Sequence, residues 1–324
     1  MKIFRANKDN IKLAANLINN GGIVAFPTET VYGLGALASN KNAVKRIYRV
    51  KGRPENNPLI VHIYKIEQAL SIAKIIPSDA IKLIKKYWPG PLTIITAYNS
   101  SSNISSVARA NLNTVAIRIP NNPIALKLLR LVDAPIIAPS ANISQHLSPT
   151  SADHVKNDLF NKLDHKKDMI LDGGTTKIGL ESTVIDFTKK NPTILRPGGL
   201  SIKLINEFVK ASFDTTKINN HNPLSPGLFK KHYSPKAILR LDADYPIEGE
   251  AWLGFGKNPR SINNFININL SKEGNLEEAA KNLFSMLRYL DKLQVRKIAV
   301  KKIPNKDIGI AINDRLYRGA ANSS

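Results

Sequence analysis

Cysteine is absent from the 324-residue sequence. No disulfide can form and no thiolate can hold zinc, which excludes disulfide-stapled and cysteine-type zinc folds. Also missing is any apolar run near the ~18 residues that a membrane-spanning helix needs. The opening MKIFRANKDN lacks the apolar stretch of a secretion signal. The expectation is a cytoplasmic protein with no membrane association. The six histidines are scattered, which argues against a histidine metal site. There is no G-x-x-x-x-G-K-[ST] phosphate loop, no internal repeat and no low-complexity tract. Acidic residues are scarce, 25 against 47 Lys and Arg, for a net charge of +22. Residues 1–200 carry 27 basic and 13 acidic groups and residues 201–324 carry 20 and 12, so the charge is not that of a basic tail. Such a balance attracts nucleotides, RNA or acidic surfaces. A general Lys/Asn/Ile bias accounts for it equally well, so charge alone decides nothing.

What is present suffices for two domains, with 43% hydrophobic and 22% charged residues. Helical and strand patterns alternate through the first 200 residues. Ile11, Ala14, Leu17 and Ile18 form an apolar stripe that predicts a helix over 8–19, ended by Gly21–Gly22. Further helices are predicted at 41–50, 66–75, 78–87 (Ser78 as N-cap), 123–132, 151–163 and 202–211. Strands are predicted at 22–26, 59–63, 91–98, 114–119, 134–140, 169–171, 182–187 and 193–196. This alternation indicates an α/β or α+β domain with a mixed sheet. Residues 213–235, rich in Asn and Pro-flanked turns, read as a linker, and structureless segments of this length are often functional. Beyond it, strands at 237–241, 251–255 and 297–301 surround an amphipathic helix over 275–293, with a last helix after Ile308. The predicted division is 1–212, a linker at 213–235, and 236–324.

Several motifs carry chemistry. GLGALA (33–38) fits the dinucleotide pattern only loosely, because PTETVY separates it from the preceding strand. KGRPENNPL (51–59) sets Lys51 and Arg53 on a stiff loop. That pair suits a polyphosphate or a solvated basic turn. PSANIS (139–144) offers small polar groups after a strand, where α/β sheets place ligand contacts, or simply a turn before a helix. Arg118 in RIP and Arg196 in RPGG stand at strand ends, where each can clamp an anion or serve as an edge charge. Glu181, Ser182 and Thr183 open a strand. His62 alternates with Val61 and Ile63, a position more often structural than ligating. No nucleophile–base pair for covalent catalysis stands out.

FPTETVYGLG (26–35), KGRPENNPL (51–59), WPGPLT (88–93), VAIRIP (115–120), APSAN (138–142), ESTVID (181–186) and LRPG (195–198) occur in this order. Together they resemble the YrdC-domain family of L-threonylcarbamoyladenylate synthases. SPGLFKKHYSPKA (225–237) and GIAINDRLYRGAA (309–321) resemble the two-domain form, so the likeness spans nearly the whole chain. It implies a YrdC-like twisted mixed sheet with flanking helices and a concave basic face, followed by a smaller Rossmann-like α/β domain. It also implies a nucleotidyltransferase that converts L-threonine, bicarbonate and ATP to threonylcarbamoyl-AMP, pyrophosphate and water. A separate transferase machinery would then pass the threonylcarbamoyl group to a tRNA adenosine, and the chain itself could bind tRNA.

By the same likeness, Lys51, Arg53, Ser140 and Asn142 form the K-x-R and S-x-N signature. Thr30, His62, Arg118, Ala138 and Ser182 would bind threonine. Arg53, Asn57, Thr114, Ser140, Ser148, Arg196 and Tyr233 would bind ATP, with Mg²⁺ carried on the ATP phosphates rather than on protein ligands. The segment around Tyr233 would cover the site. Two other readings are a non-catalytic double-stranded RNA or tRNA-binding module and a carbamoyl-transfer domain of a maturation protein. No RNA-recognition motif supports the first, and the absence of zinc-finger cysteines speaks against the second.

Overall fold

The computed structural model describes residues 3–213, 232–259, 262 and 265–321. Most of the expected linker, residues 214–231, lies outside the described residues. The first part of the chain runs β1 (Ile3–Arg5), α1 (Lys8–Asn19), β2 (Val24–Phe26), β3 (Gly33–Leu37), α2 (Lys41–Lys51), β4 (Ile60–His62), α3 (Ile66–Ile72), α4 (Ser78–Tyr87) and β5 (Leu92–Ala97). It continues with β6 (Thr114–Arg118), α5 (Pro123–Val132), β7 (Ile136–Ile137), α6 (Ala152–Leu159), β8 (Met169–Asp172), β9 (Thr183–Asp186), β10 (Thr193–Arg196), α7 (Ile202–Asn206) and β11 (Ser212–Phe213). The second part comprises β12 (Ile238–Ala243), β13 (Glu250–Gly254), β14 (Asn267–Asn269), α8 (Leu276–Lys292), β15 (Lys297–Lys301) and α9 (Gly309–Ala320).

β1–β11 make one mixed sheet of eleven strands, in the order β1-β8-β2-β3-β7-β4-β6-β5-β9-β10-β11. β12–β15 make a second sheet of four strands, ordered β12-β15-β13-β14 and wholly parallel. The mixed α/β fold with a smaller second α/β part is the expected class. α1 buries Ile11, Ala14, Ala15 and Ile18, and Asn7 caps its start by accepting from the Asn10 N–H. With α5 it packs on one side of β2, β7 and β8 through Phe26, Leu128, Ile136 and Leu171. The larger core, with Val44, Ile47, Leu83, Ile94 and Val155, joins α2, α4 and α6 to the sheet. α8 buries the predicted stripe of Leu276, Ala279, Leu283, Leu287 and Leu290.

The second core does not stop at the boundary between the sheets. Val31, Leu147 and Leu180 from the first part are packed into it beside Leu283, Phe284 and Leu287. Gly179 makes this approach possible. It has φ +80°, and a Cβ there would sit 2.6 Å from the Ala280 carbonyl oxygen of α8. Arg288 of α8 pairs with Asp158 of α6 at 2.6 Å.

Several boundaries differ from the sequence reading. α3 stops at Ile72 because Ala73 turns extended and bridges to Tyr98. Pro77, not Ser78, precedes α4, and no side chain caps that helix. α6 ends at Leu159. α7 ends at Asn206, whose side chain accepts from the Ala211 N–H and draws the chain off the helix path. GLGAL is strand β3, where a Cβ on Gly35 would fall 2.7 Å from the Phe26 ring. That glycine therefore serves packing, not dinucleotide binding. β1 and β14 are too short for alternation to reveal. Among the described residues, no helix is long and apolar enough to cross a membrane.

Candidate active site

Parallel strands β4 and β6 end side by side, with His62 and Arg118 as register partners. Ligand sites of α/β sheets form beyond the carboxyl ends of such strands. A cleft opens there, lined by Thr28, Thr30, Arg53, His62, Arg118, Ala138, Ser140, Glu181, Ser182, Arg196, His232 and Tyr233 among others. Nine of the residues expected at the site thus share one cleft: Thr30, Arg53, His62, Arg118, Ala138, Ser140, Ser182, Arg196 and Tyr233.

Its polar groups are fixed by their surroundings. Thr28 Oγ1 lies 2.6 Å from the Val31 carbonyl and 2.8 Å from Thr30 Oγ1. A carbonyl only accepts, so Thr28 spends its proton there and Thr30 must donate to Thr28. Thr30 therefore offers the cleft lone pairs only. His62 Nδ1 stands 3.1 Å from the Ile60 carbonyl, which makes Nδ1 the protonated nitrogen and Nε2 an acceptor. Burial, with Arg118 nearby, pushes the pKa of His62 down to about 3, so the ring is neutral at physiological pH. Arg118 is held by its own donors: Nη2 to Glu29 Oε1 at 2.6 Å and Nε to the Gly90 carbonyl at 3.3 Å. One guanidinium thus faces two acceptor groups.

The other side of the cleft is cationic. Gly52, at φ +60°, ends α2 and turns the chain so that Arg53 points inward. Arg53 is anchored on Asn57, Nε to its carbonyl at 3.2 Å and Nη2 to its Oδ1, and on the Pro58 carbonyl at 3.0 Å. Burial lowers its pKa to about 10, so it stays charged at neutral pH. Arg196 donates to the Ser182 carbonyl from Nε at 3.1 Å and from Nη2 at 2.9 Å, and to Ser182 Oγ at 3.2 Å. Ser182 Oγ also meets Thr93 Oγ1 at 2.8 Å. Among the described residues, Glu181 is the one carboxylate lining the cleft. Burial works to raise its pKa, but Arg315, Arg196 and the Ser148 hydroxyl more than offset that and hold it below the ordinary range.

Five expected residues stand back from the cleft. Lys51, 1% exposed, donates to the Ser140 and Asn142 carbonyls at 2.5 and 2.6 Å. Burial and the Arg53 charge push its ammonium well below the usual lysine pKa. Asn142 donates to the carbonyls of Ile143 and His146, both at 2.8 Å. The K-x-R lysine and the S-x-N asparagine thus brace the loop that presents Ser140. Asn57 reaches the cleft through Arg53, and Ser148 reaches it through a hydrogen bond to Glu181. Thr114 begins β6, at the opposite end of the strand from Arg118.

Residues that sequence reasoning gave no role include Thr28, Glu29, Glu181 and His232. Glu29 is a buried carboxylate inside the FPTETVYGLG motif, and only three-dimensional pairing with Arg118 reveals its use. Among the described residues no His/Asp/Glu cluster could hold a metal ion. The cleft's charge suits anions.

With Tyr233 in place the remaining space is about 40 Å³, little more than one water molecule. Tyr233 is 1% exposed. A nucleotide therefore needs part of this wall to move.

The Sua5/YciO/YrdC family model, described as telomere recombination, matches residues 16–198. A second model, described as the threonylcarbamoyl-AMP synthase C-terminal domain, matches residues 200–321. The threonylcarbamoyl-AMP synthase of Pyrococcus abyssi is 40% identical, covering 98% of this chain and 95% of its own. The Bacillus subtilis enzyme of the same name is 38% identical over 97% and 94%. The crystal structure of P. abyssi Sua5 complexed with L-threonine superposes with a TM-score of 0.89 at 38% identity, covering 99% of this chain and 98% of that one. Fold, cleft and relatives together define a nucleotidyl-transfer enzyme. The chain belongs to the threonylcarbamoyl-AMP synthase family, in the form with the additional C-terminal part.

Proposed function

We propose that the chain condenses L-threonine, bicarbonate and ATP to threonylcarbamoyl-AMP, pyrophosphate and water. The observation that carries this reading is the division of one cleft into two chemistries. Arg118 with the acceptors Thr30 Oγ1 and His62 Nε2 suits a zwitterion: the guanidinium takes the carboxylate, and the acceptors take the ammonium and hydroxyl. Arg53 and Arg196 suit the triphosphate. The P. abyssi relative, solved with L-threonine, supports the amino-acid half.

The threonine amine, once it has lost its proton, attacks the bicarbonate carbon. Water leaves and a carbamate forms. A carbamate oxygen then attacks the ATP α-phosphorus, and the bond to the β-phosphate bridging oxygen breaks to release pyrophosphate. Arg53 and Arg196 stabilise the charge that gathers on the phosphoryl oxygens. A cleft closed over the bound substrates would shield the carbamate and the mixed anhydride from water. Among the described residues no cluster could hold Mg²⁺, and the metal would enter bound to the ATP phosphates. The product serves a downstream transferase acting on tRNA. The +22 charge favours encounter with that polyanion without specifying a tRNA site.

The test is pyrophosphate release by the purified protein with ATP, Mg²⁺ and bicarbonate, with and without L-threonine. Release that depends on threonine and bicarbonate is expected, with loss of dependence on both as the refuting result.

A further inference from the structure

Arg315 belongs to α9, in the second part of the chain, yet its side chain ends behind the cleft wall. It is 1% exposed. Nε donates to Glu181 Oε2 at 2.9 Å and Nη1 to Asp314 Oδ2 at 2.5 Å. The guanidinium carbon lies 4.8 Å from the centre of the Tyr233 ring, within cation–π range. Phe284 of α8 stacks on the same ring, at 5.7 Å and 26°. Two residues that line the cleft, Glu181 and Tyr233, are therefore held by one cation from a different sheet's helix. Glu181 in turn binds the Ser148 hydroxyl and precedes Ser182, the anchor of Arg196.

The backbone around Tyr233 is also tied to α9. Tyr233 has φ +61°, a conformation that a non-glycine residue keeps only where its surroundings over-determine it. The His232 N–H donates to the Arg318 carbonyl at 3.4 Å and the Ser234 N–H to the Gln145 carbonyl at 3.0 Å. A Cβ on Gly319 would come within 3.0 Å of the Tyr233 carbonyl, so the segment lies directly on the helix.

This arrangement is a costly way merely to glue two parts together. A buried ion pair is often replaceable by apolar residues without loss of stability. Arg315 Nη2 and Tyr233 Oη, moreover, have no hydrogen-bond partner among the described residues. Buried donors left unmet are destabilising; what they provide here is placement.

We propose that Arg315 is a positioning residue for the nucleotide half of the cleft: by fixing Glu181 it sets the neighbouring Ser182 anchor of Arg196, and nucleotide binding thereby depends on the docking of α9. The inference rests on the synthase reading for the identity of the nucleotide. Threonine contacts at Thr30, His62 and Arg118 do not involve it.

The experiment compares full-length wild type, Arg315→Lys and Arg315→Met by calorimetric titration with a non-hydrolysable ATP analogue and, separately, with L-threonine. Arg315→Met should weaken analogue binding about tenfold or more, the worth of one charge-assisted contact, and leave threonine binding within about twofold. Arg315→Lys, which keeps a cation beside Glu181, should recover part of the loss. Retained threonine binding certifies a folded cleft. Unchanged analogue affinity in such a protein overturns the proposal, and so does equal weakening of both ligands in Arg315→Lys, which would mark a merely structural role. Should Arg315→Met fail to fold, Arg315→Lys alone decides, since analogue-selective weakening is expected there too. A wild type that binds both ligands but releases no pyrophosphate would refute the synthase reading while leaving this test intact.

Discussion

Thr30→Val asks whether the threonine side of the cleft works by acceptor geometry. The hydroxyl of Thr30 is wholly buried and donates to Thr28 Oγ1 at 2.8 Å, because Thr28 gives its own proton to the Val31 carbonyl. Its remaining lone pairs face the cleft. If they receive an ammonium N–H, the contact is charge-assisted and worth about 1.5–3 kcal/mol, or about tenfold to a hundredfold in affinity. The fold should tolerate the change. Thr28 Oγ1 still accepts from the Thr30 and Val31 N–H groups at 3.2 Å, and the lost neutral bond is worth about 0.5–1.5 kcal/mol. Calorimetry should show threonine binding weakened about tenfold or more and ATP-analogue binding within about twofold of wild type. The KM for threonine should rise in step, and Thr30→Ser should restore it. Threonine affinity unchanged in Thr30→Val would refute the acceptor argument.

Lys51→Met leaves the Asn142 carbonyl without its lysine donor and the Ser140 carbonyl with only the Asn142 N–H, and should destabilise the protein by about 1–3 kcal/mol; an unchanged melting temperature would show that Lys51 is no brace. Asn57→Ala removes the Oδ1 contact to Arg53 Nη2 while the Asn57 and Pro58 carbonyls still hold the guanidinium, and should raise the KM for ATP about threefold to tenfold while sparing that for threonine, as steady-state pyrophosphate release would measure. His62 has a folded pKa of about 3 against an ordinary 6.5. The unfolded chain therefore binds a proton that the folded chain refuses, and stability falls as pH drops from 6.5 towards 3. His62→Gln should flatten the dependence of unfolding free energy on pH between about pH 5 and pH 6 by about 1.4 kcal/mol per pH unit, and identical slopes in urea denaturation would exclude this.

Periodicity made the long helices legible. The stripe of α8 buries as spaced, and that of α1 does so apart from Leu17, which is only half-buried where Ala15 is buried, because a continuous apolar face leaves one way to pack. Short elements escaped it: β1, β3, β11 and β14 hold two to five residues, too few for alternation to register. Nine of the residues expected at the site line one cleft, and motif order, not local pattern, singled them out. What the sequence hid was direction. Lys51 and Arg53 are two positions apart, yet Gly52 in the left-handed region sends one to a loop brace and the other to the cleft wall. Glu29 and Glu181 look like ordinary acidic residues until Arg118 and Arg315, from distant segments, are brought against them. Such pairings live in tertiary geometry, and no spacing rule encodes them.

The core that crosses between the two sheets bears on how this chain can be cut. Val31, Leu147 and Leu180 are packed into the core of α8 and its neighbours, so a fragment ending near residue 212 would carry an adhesive apolar face beside the cleft. The cleft's region of the chain is thus not a portable cassette. Anyone grafting or truncating it would have to redesign that face, or expect a protein that self-associates where it should bind nucleotide.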